Sequence, residues 1–136
     1  ARSGGLSVRY PTGEDVDHST ANISGKGKKD KWDKTAPVGK FPPNYLGLYD
    51  MAGNAYEWCN DYYKSDYYEL SNSFEPQGPA TSMFKILRGG SWYHEKEEMR
   101  CSDRFRFMPV ARISFVGFRI AWKTDKAEAL KVQLTR

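Results

Sequence analysis

Between Arg88 and Arg104 the chain reads RGGSWYHEKEEMRCSDR: a Gly-Gly turn, then a hydroxyl, an imidazole, a run of acids and one thiol. Cys101, the one thiol of this stretch, is the candidate redox nucleophile. A reactive cysteine needs a neighbouring base or a resolving thiol, and nothing beside Cys101 identifies either. Glu95, Glu97 and Glu98 follow His94, so the sequence predicts a protonated imidazole, which opposes metal binding. The Gly-Gly turn predicts backbone N–H groups at Ser91 and Trp92 that meet a peptide or an anion. Arg100, Arg104 and Arg106 offer cations for carboxylates, and Tyr93, Phe105 and Phe107 offer flat apolar faces. Peptide-binding surfaces favour that combination. The segment RFRFM reads equally as a strand with Phe inward and Arg in solvent.

A second constellation lies in YDMAGNAYEW, where Asp50 and Glu57 stand seven residues apart across Gly53, Asn54 and Ala55. Small residues let the backbone turn tightly enough to aim carbonyls inward, and two carboxylates supply negative charge. Ca²⁺ takes six to eight oxygens, so this stretch is compatible with calcium although it has no EF-hand spacing. The competing reading is a turn whose Asp and Asn bond their own backbone. Glu57 separates the two, because an acid between Tyr56 and Trp58 is costly to bury unless paired or metal-bound. The chain has no G-x-S-x-G, no H-E-x-x-H and no phosphate-cradling glycine loop. His18, in EDVDHST, reads as a turn residue.

The elements that position these residues are short. Gly and Pro punctuate the first 45 residues, in SGG, PTG, SGKG, APVG and FPPN. Two strands are predicted, Met83 to Gly89 and Ser114 to Trp122, and a brief helix over EALKVQL near the end. So little regular structure needs another source of order. Aromatics, 15% of the chain, supply part of it, since each ring removes ~150–250 Å² from water.

The 136 residues suffice for one domain, and 39% apolar with 28% charged residues describe a soluble globular protein. No window reaches the ~18 apolar residues of a membrane span. The start, ARSGGLSVRY, lacks a signal pattern and an initiating Met, which leaves room for an upstream leader or domain. The net charge of +4 is mild, and five lysines gather in KGKKDKWDK with Asp30 and Asp33 between them. A nucleic-acid partner would require a broader basic stripe; the run reads as a solvated loop. Cys59 and Cys101 exclude a cysteine-rich scaffold and a zinc ribbon. A disulfide between them is compatible with the sequence, and two half-buried thiols are the expected state. No feature assigns a compartment.

Three segments, TAPVGKFPPNYLGLYDMAGNAYEWCNDYY, ILRGGSW and FVGFRIAW, occur in that order and together resemble the C-terminal part of the formylglycine-generating enzyme family, also called sulfatase-modifying factors. ARSGG, YPTG and ANISG resemble the stretch that follows that family's LPTEAEWEYA helix. The resemblance covers residues 1–122, and 123–136 read as a C-terminal extension. It implies an irregular α+β fold related to C-type lectins, and a missing N-terminal portion of the domain, supplied by upstream sequence or a second chain. It also implies two calcium sites. One maps to the side chains of Asp50 and Glu57 with the carbonyls of Gly53 and Ala55. The other maps to Asn22, the carbonyl of Ile23, Asp30 and the carbonyl of Trp32.

Formylglycine-generating enzymes bind Cu(I) through two cysteines shortly after the Gly-Gly-Ser motif and oxidise a cysteine in an unfolded sulfatase segment. Cu(I) selects soft thiolates. Here the first of those positions is His94 and the second falls near Met99, while RCSDR lines up with a family segment whose thiol is not a copper ligand. The expectation is therefore a calcium-stabilised domain without copper, a non-oxidising binding or structural module with a peptide or protein ligand. The alternative is an oxidoreductase of the same superfamily with altered chemistry.

Overall fold

Tyr56 to Tyr62 sets the frame of the computed structural model, which describes residues 6–71, 76 and 78–121. This segment, YEWCNDY, is strand β1 (Tyr56–Tyr62), and it pairs on both sides. β2 (Lys85–Arg88) runs antiparallel to it, with Glu57 opposite Arg88 and Trp58 opposite Leu87, before a bulge shifts the register towards Tyr62 and Lys85. β3 (Phe105–Phe107) continues antiparallel from β2, and β4 (Val116–Phe118) lies parallel to β1 on the other side. The order is β3-β2-β1-β4. A four-residue helix α1 (Tyr67–Leu70) and a 3-10 turn (Lys96–Met99) complete the regular elements.

β2 and β4 fall inside the predicted strands and are shorter than them. β1 was not expected as a strand, because Glu57, Asn60 and Asp61 interrupt its apolar pattern; pairing on two sides overrides that weak propensity. The helix expected over EALKVQL lies outside the described residues, as does all of the proposed extension 123–136. Strand β3 realises the alternating reading of RFRFM: Phe105 and Phe107 are half-buried and Arg106 is exposed.

Two apolar groups hold the frame. Tyr10, Val16, Ala21, Ile23, Ala52 and Met99 form one cluster. Across the sheet, Tyr56 stacks on Phe105 with ring centroids 5.2 Å apart, and Leu87 of β2 is fully buried. Gly90 locks the two loops that follow the sheet: its φ is +71°, and a Cβ there would sit 2.1 Å from Met99 Sδ. Met99 is thus the floor beneath the Gly-Gly turn, and only glycine gives it room. The N-terminal segment is tied to the same place by the Cys101 N–H donating to Arg9 O at 2.8 Å.

Candidate functional site

The loop 18–32 folds back on itself through a narrow bridge between Gly27 and Asp30. His18 O accepts from the N–H groups of both Lys29 and Asp30. The fold delivers the Asp30 side chain inward, 1% exposed. Its Oδ2 accepts from Ile23 N–H at 3.0 Å and contacts His18 Nδ1 at 3.1 Å. Asn22, 0% exposed, spends its Nδ2 on Lys34 O at 2.8 Å and Asn54 Oδ1 at 3.1 Å. What is left over is informative. Asn22 Oδ1 and Asp30 Oδ1 are both buried and have no hydrogen-bond partner among the described residues. Buried oxygens of this kind are costly unless something positive meets them, and an amide oxygen with a carboxylate oxygen is the donor chemistry of a hard cation.

The second loop carries a different balance. Asp50 and Asn54 adopt positive φ, 53° and 64°, so the backbone does turn tightly here. The Asp50 carboxylate accepts from Gly39 N–H at 2.8 Å. Glu57 is engaged by Arg119: Nε lies 3.1 Å from each carboxylate oxygen and Nη2 2.6 Å from Oε1. This fork-on-fork pair is how Glu57 meets the cost of its position, and the Glu57 carboxylate raises the affinity of the guanidinium for its proton. Asp50, Ala55, Glu57, Gly117 and Arg119 share a cleft of about 510 Å³. Arg119 went unnoticed in the sequence: it lies 62 residues from Glu57, and only the parallel β1–β4 pairing brings the two together.

Asn54 joins everything. Its Oδ1 accepts from Asn22 Nδ2 and, at 2.8 Å, from Ala36 N–H, while its Nδ2 donates to Ala36 O at 3.2 Å. Its own N–H reaches Asn22 O, and its carbonyl accepts from Trp92 N–H. Beside it, a Cβ on Gly53 would fall 2.3 Å from Asn22 O. The two oxygen-rich loops and the Gly-Gly-Ser turn are therefore one polar unit.

That unit also changes the reading of the turn. Ser91 is fully buried, and the turn's N–H groups are used internally: Trp92 N–H by Asn54 O, Tyr93 N–H by Ser91 Oγ, His94 N–H by Ser91 O. Of the two N–H groups expected to meet a ligand, that of Trp92 is spent within the chain. Two of the arginines offered for a ligand's carboxylates also have partners within the chain. Arg100 pairs with Asp103 at 3.3 Å, and Arg104 lies over the rings of Tyr63 and Tyr68. Ser91, Trp92 and His94 stay with the loop unit, where His94 O accepts from Ser24 N–H.

His94 requires a correction. Glu98 and Asp103 do favour its protonation, but burial outweighs them and lowers its pKa from the ordinary histidine value. Its ring sits edge-on to Tyr56 and Phe115, at 4.9 and 5.0 Å between centroids. Its Nδ1 meets Ser91 Oγ at 2.6 Å. Met99, near which the family resemblance would place the second copper cysteine, lies wholly inside the core. Cys59 and Cys101 are both half-buried. No group of three or more His, Cys, Asp or Glu side chains converges among the described residues, and no helix among them is long and apolar enough to cross a membrane.

A small mixed sheet flanked by long polar loops, tied through one asparagine, defines an irregular α+β domain. Comparison with known proteins agrees: residues 1–124 match the sulfatase-modifying factor enzyme 1-like domain. The chain belongs to this family, that of the formylglycine-generating enzymes. It is 47% identical over 124 residues to the serine/threonine-protein kinase pkn1 of Chlamydia caviae, a match covering 89% of this chain and 19% of that protein. It is 38% identical over 94 residues to the formylglycine-generating enzyme of Streptomyces coelicolor, covering 67% and 30%. Among solved structures, Treponema denticola variable protein 1 superposes with a TM-score of 0.71 at 28% identity, covering 86% of this chain and 41% of that one. The chain thus spans under half the length of each of these proteins.

Proposed function

We propose that this is a calcium-stabilised, non-oxidising member of the sulfatase-modifying factor family, acting as a binding or structural module. The observation that carries the calcium half is the pair of buried, unpartnered oxygens, Asn22 Oδ1 and Asp30 Oδ1. Asn22 and Asp30, with the carbonyls of Ile23 and Trp32, would hold the ion, whose charge would hold this loop against the core. Asp50, Gly53, Ala55 and Glu57 would form a second, weaker site, since Arg119 already offsets one of its two carboxylate charges.

The non-oxidising half rests on residue chemistry. At the two positions where the family resemblance places copper thiolates stand a core thioether, Met99, and an imidazole, His94, whose Nδ1 is engaged by Ser91. One feature favours the alternative, an oxidoreductase with altered chemistry: burial lowers the pKa of His94, which favours the neutral imidazole that metal binding needs. Anaerobic Cu(I) titration decides between them. The module reading expects no tight one-to-one binding, and oxidation of a sulfatase-motif peptide with copper and O₂ would defeat it.

A further inference from the structure

Resting on the calcium reading above, we infer that His18 is the positioning residue of the first loop: it secures one oxygen of Asp30 and so reserves the other for the cation. An ionised carboxylate only accepts hydrogen bonds, so the imidazole nitrogen facing Asp30 Oδ2 at 3.1 Å carries the proton. Ile23 N–H donates to the same oxygen at 3.0 Å. One donor would leave the carboxylate free to swing about it, whereas two donors on Oδ2 fix its orientation. Oδ1 is then the oxygen left without a partner.

The loop is built around this contact. His18 grips Asp30 twice, since its carbonyl also accepts the Asp30 N–H at 3.0 Å. Its ring lies against two glycines. A Cβ on Gly27 would come within 3.3 Å of His18 Cδ2, and one on Gly25 within 3.5 Å of Nε2. Nearby Asp17 does not compete for the imidazole. Its carboxylate is taken by Lys28 Nζ and by Ser19 N–H. Hydrogen bonds of this kind, to the ligand rather than to the metal, typically carry about 10- to 100-fold of metal affinity.

The test is tryptophan-sensitised terbium luminescence on the full chain, with calcium displacement, comparing wild type with His18→Phe and His18→Asn. Phe keeps the ring against the glycines and removes the donor; Asn places an amide N–H near the position of Nδ1. The expected result is terbium affinity weakened about 10- to 100-fold in His18→Phe and nearly retained in His18→Asn, with little change in metal-free melting for either. Unchanged affinity in His18→Phe would overturn the positioning role while leaving the calcium site standing. Equal losses in both variants would show that ring packing, not the hydrogen bond, is what matters, and would overturn it too. Absence of terbium binding by the wild type would remove the calcium reading itself. If the Phe variant does not fold, His18→Ala carries the same comparison against His18→Asn.

Discussion

His94 shows how one side chain makes stability depend on pH. Burial against Tyr56, Phe105 and Phe115 lowers its pKa below the value of about 6.5 that an unfolded chain would show. On acidification the unfolded state therefore takes up a proton first, and stability falls wherever the unfolded state binds more protons. The contribution is fully present above about pH 7. It is lost as pH drops through the unfolded value towards the depressed one. Melting temperature should thus decline between pH 7.5 and 5.5, and His94→Phe, which keeps an aromatic ring in the box, should flatten that decline. An equally steep slope in His94→Phe would mean that another group is responsible. The sequence pointed the opposite way because Glu95, Glu97 and Glu98 are neighbours along the chain, whereas the rings that desolvate His94 come from distant strands and turns.

Between elements, Asn54 is the joint. It is buried, adopts φ 64°, and its side chain holds Asn22 and both backbone groups of Ala36. Asn54→Ala removes those bonds and leaves buried polar groups unmet, at about 1–3 kcal/mol for the most deeply buried of them, with a further ~1–2 kcal/mol for a left-handed alanine. Asn54→Gly removes the bonds but relieves the backbone, so urea unfolding should rank wild type above Gly above Ala. An Ala variant as stable as the Gly variant would show that the left-handed turn carries no strain. Much of the element-level picture was legible beforehand. β2 and β4 announced themselves through ILR and VGF, where apolar and branched residues cluster beside or around a glycine. β1 did not, because Glu57, Asn60 and Asp61 take their place in the sheet from partners up to 62 residues away. The proposed ligands of the first loop were legible only through family resemblance: whether Asn22 and Asp30 face inward is decided by Asn54, Ile23 and His18, and no local spacing encodes that.

For the molecule as a whole, four short strands cannot by themselves order loops as long as residues 6–55. The apolar cluster around Tyr10 and Met99 does part of the work, and the cation reading assigns the rest to the unit formed by the two loops and the Gly-Gly-Ser turn. A ligand bound only by the folded state stabilises it by about 2.7 kcal/mol at a hundredfold excess over its Kd, which for a domain of this size corresponds to roughly 8–15 °C of melting temperature. Calcium should therefore raise the melting temperature by about that much over chelator-treated protein. Asp30→Asn should abolish most of the increment, because it removes the carboxylate charge at the buried site. Asp50→Asn should remove less, since Arg119 already tempers the field of the second loop. Magnesium should substitute poorly, because it demands near-octahedral geometry and sheds its water reluctantly. Identical melting with calcium and with chelator would mean that hydrogen bonding and aromatic packing alone hold the loops, and the two unpartnered oxygens would then have to be met by buried water.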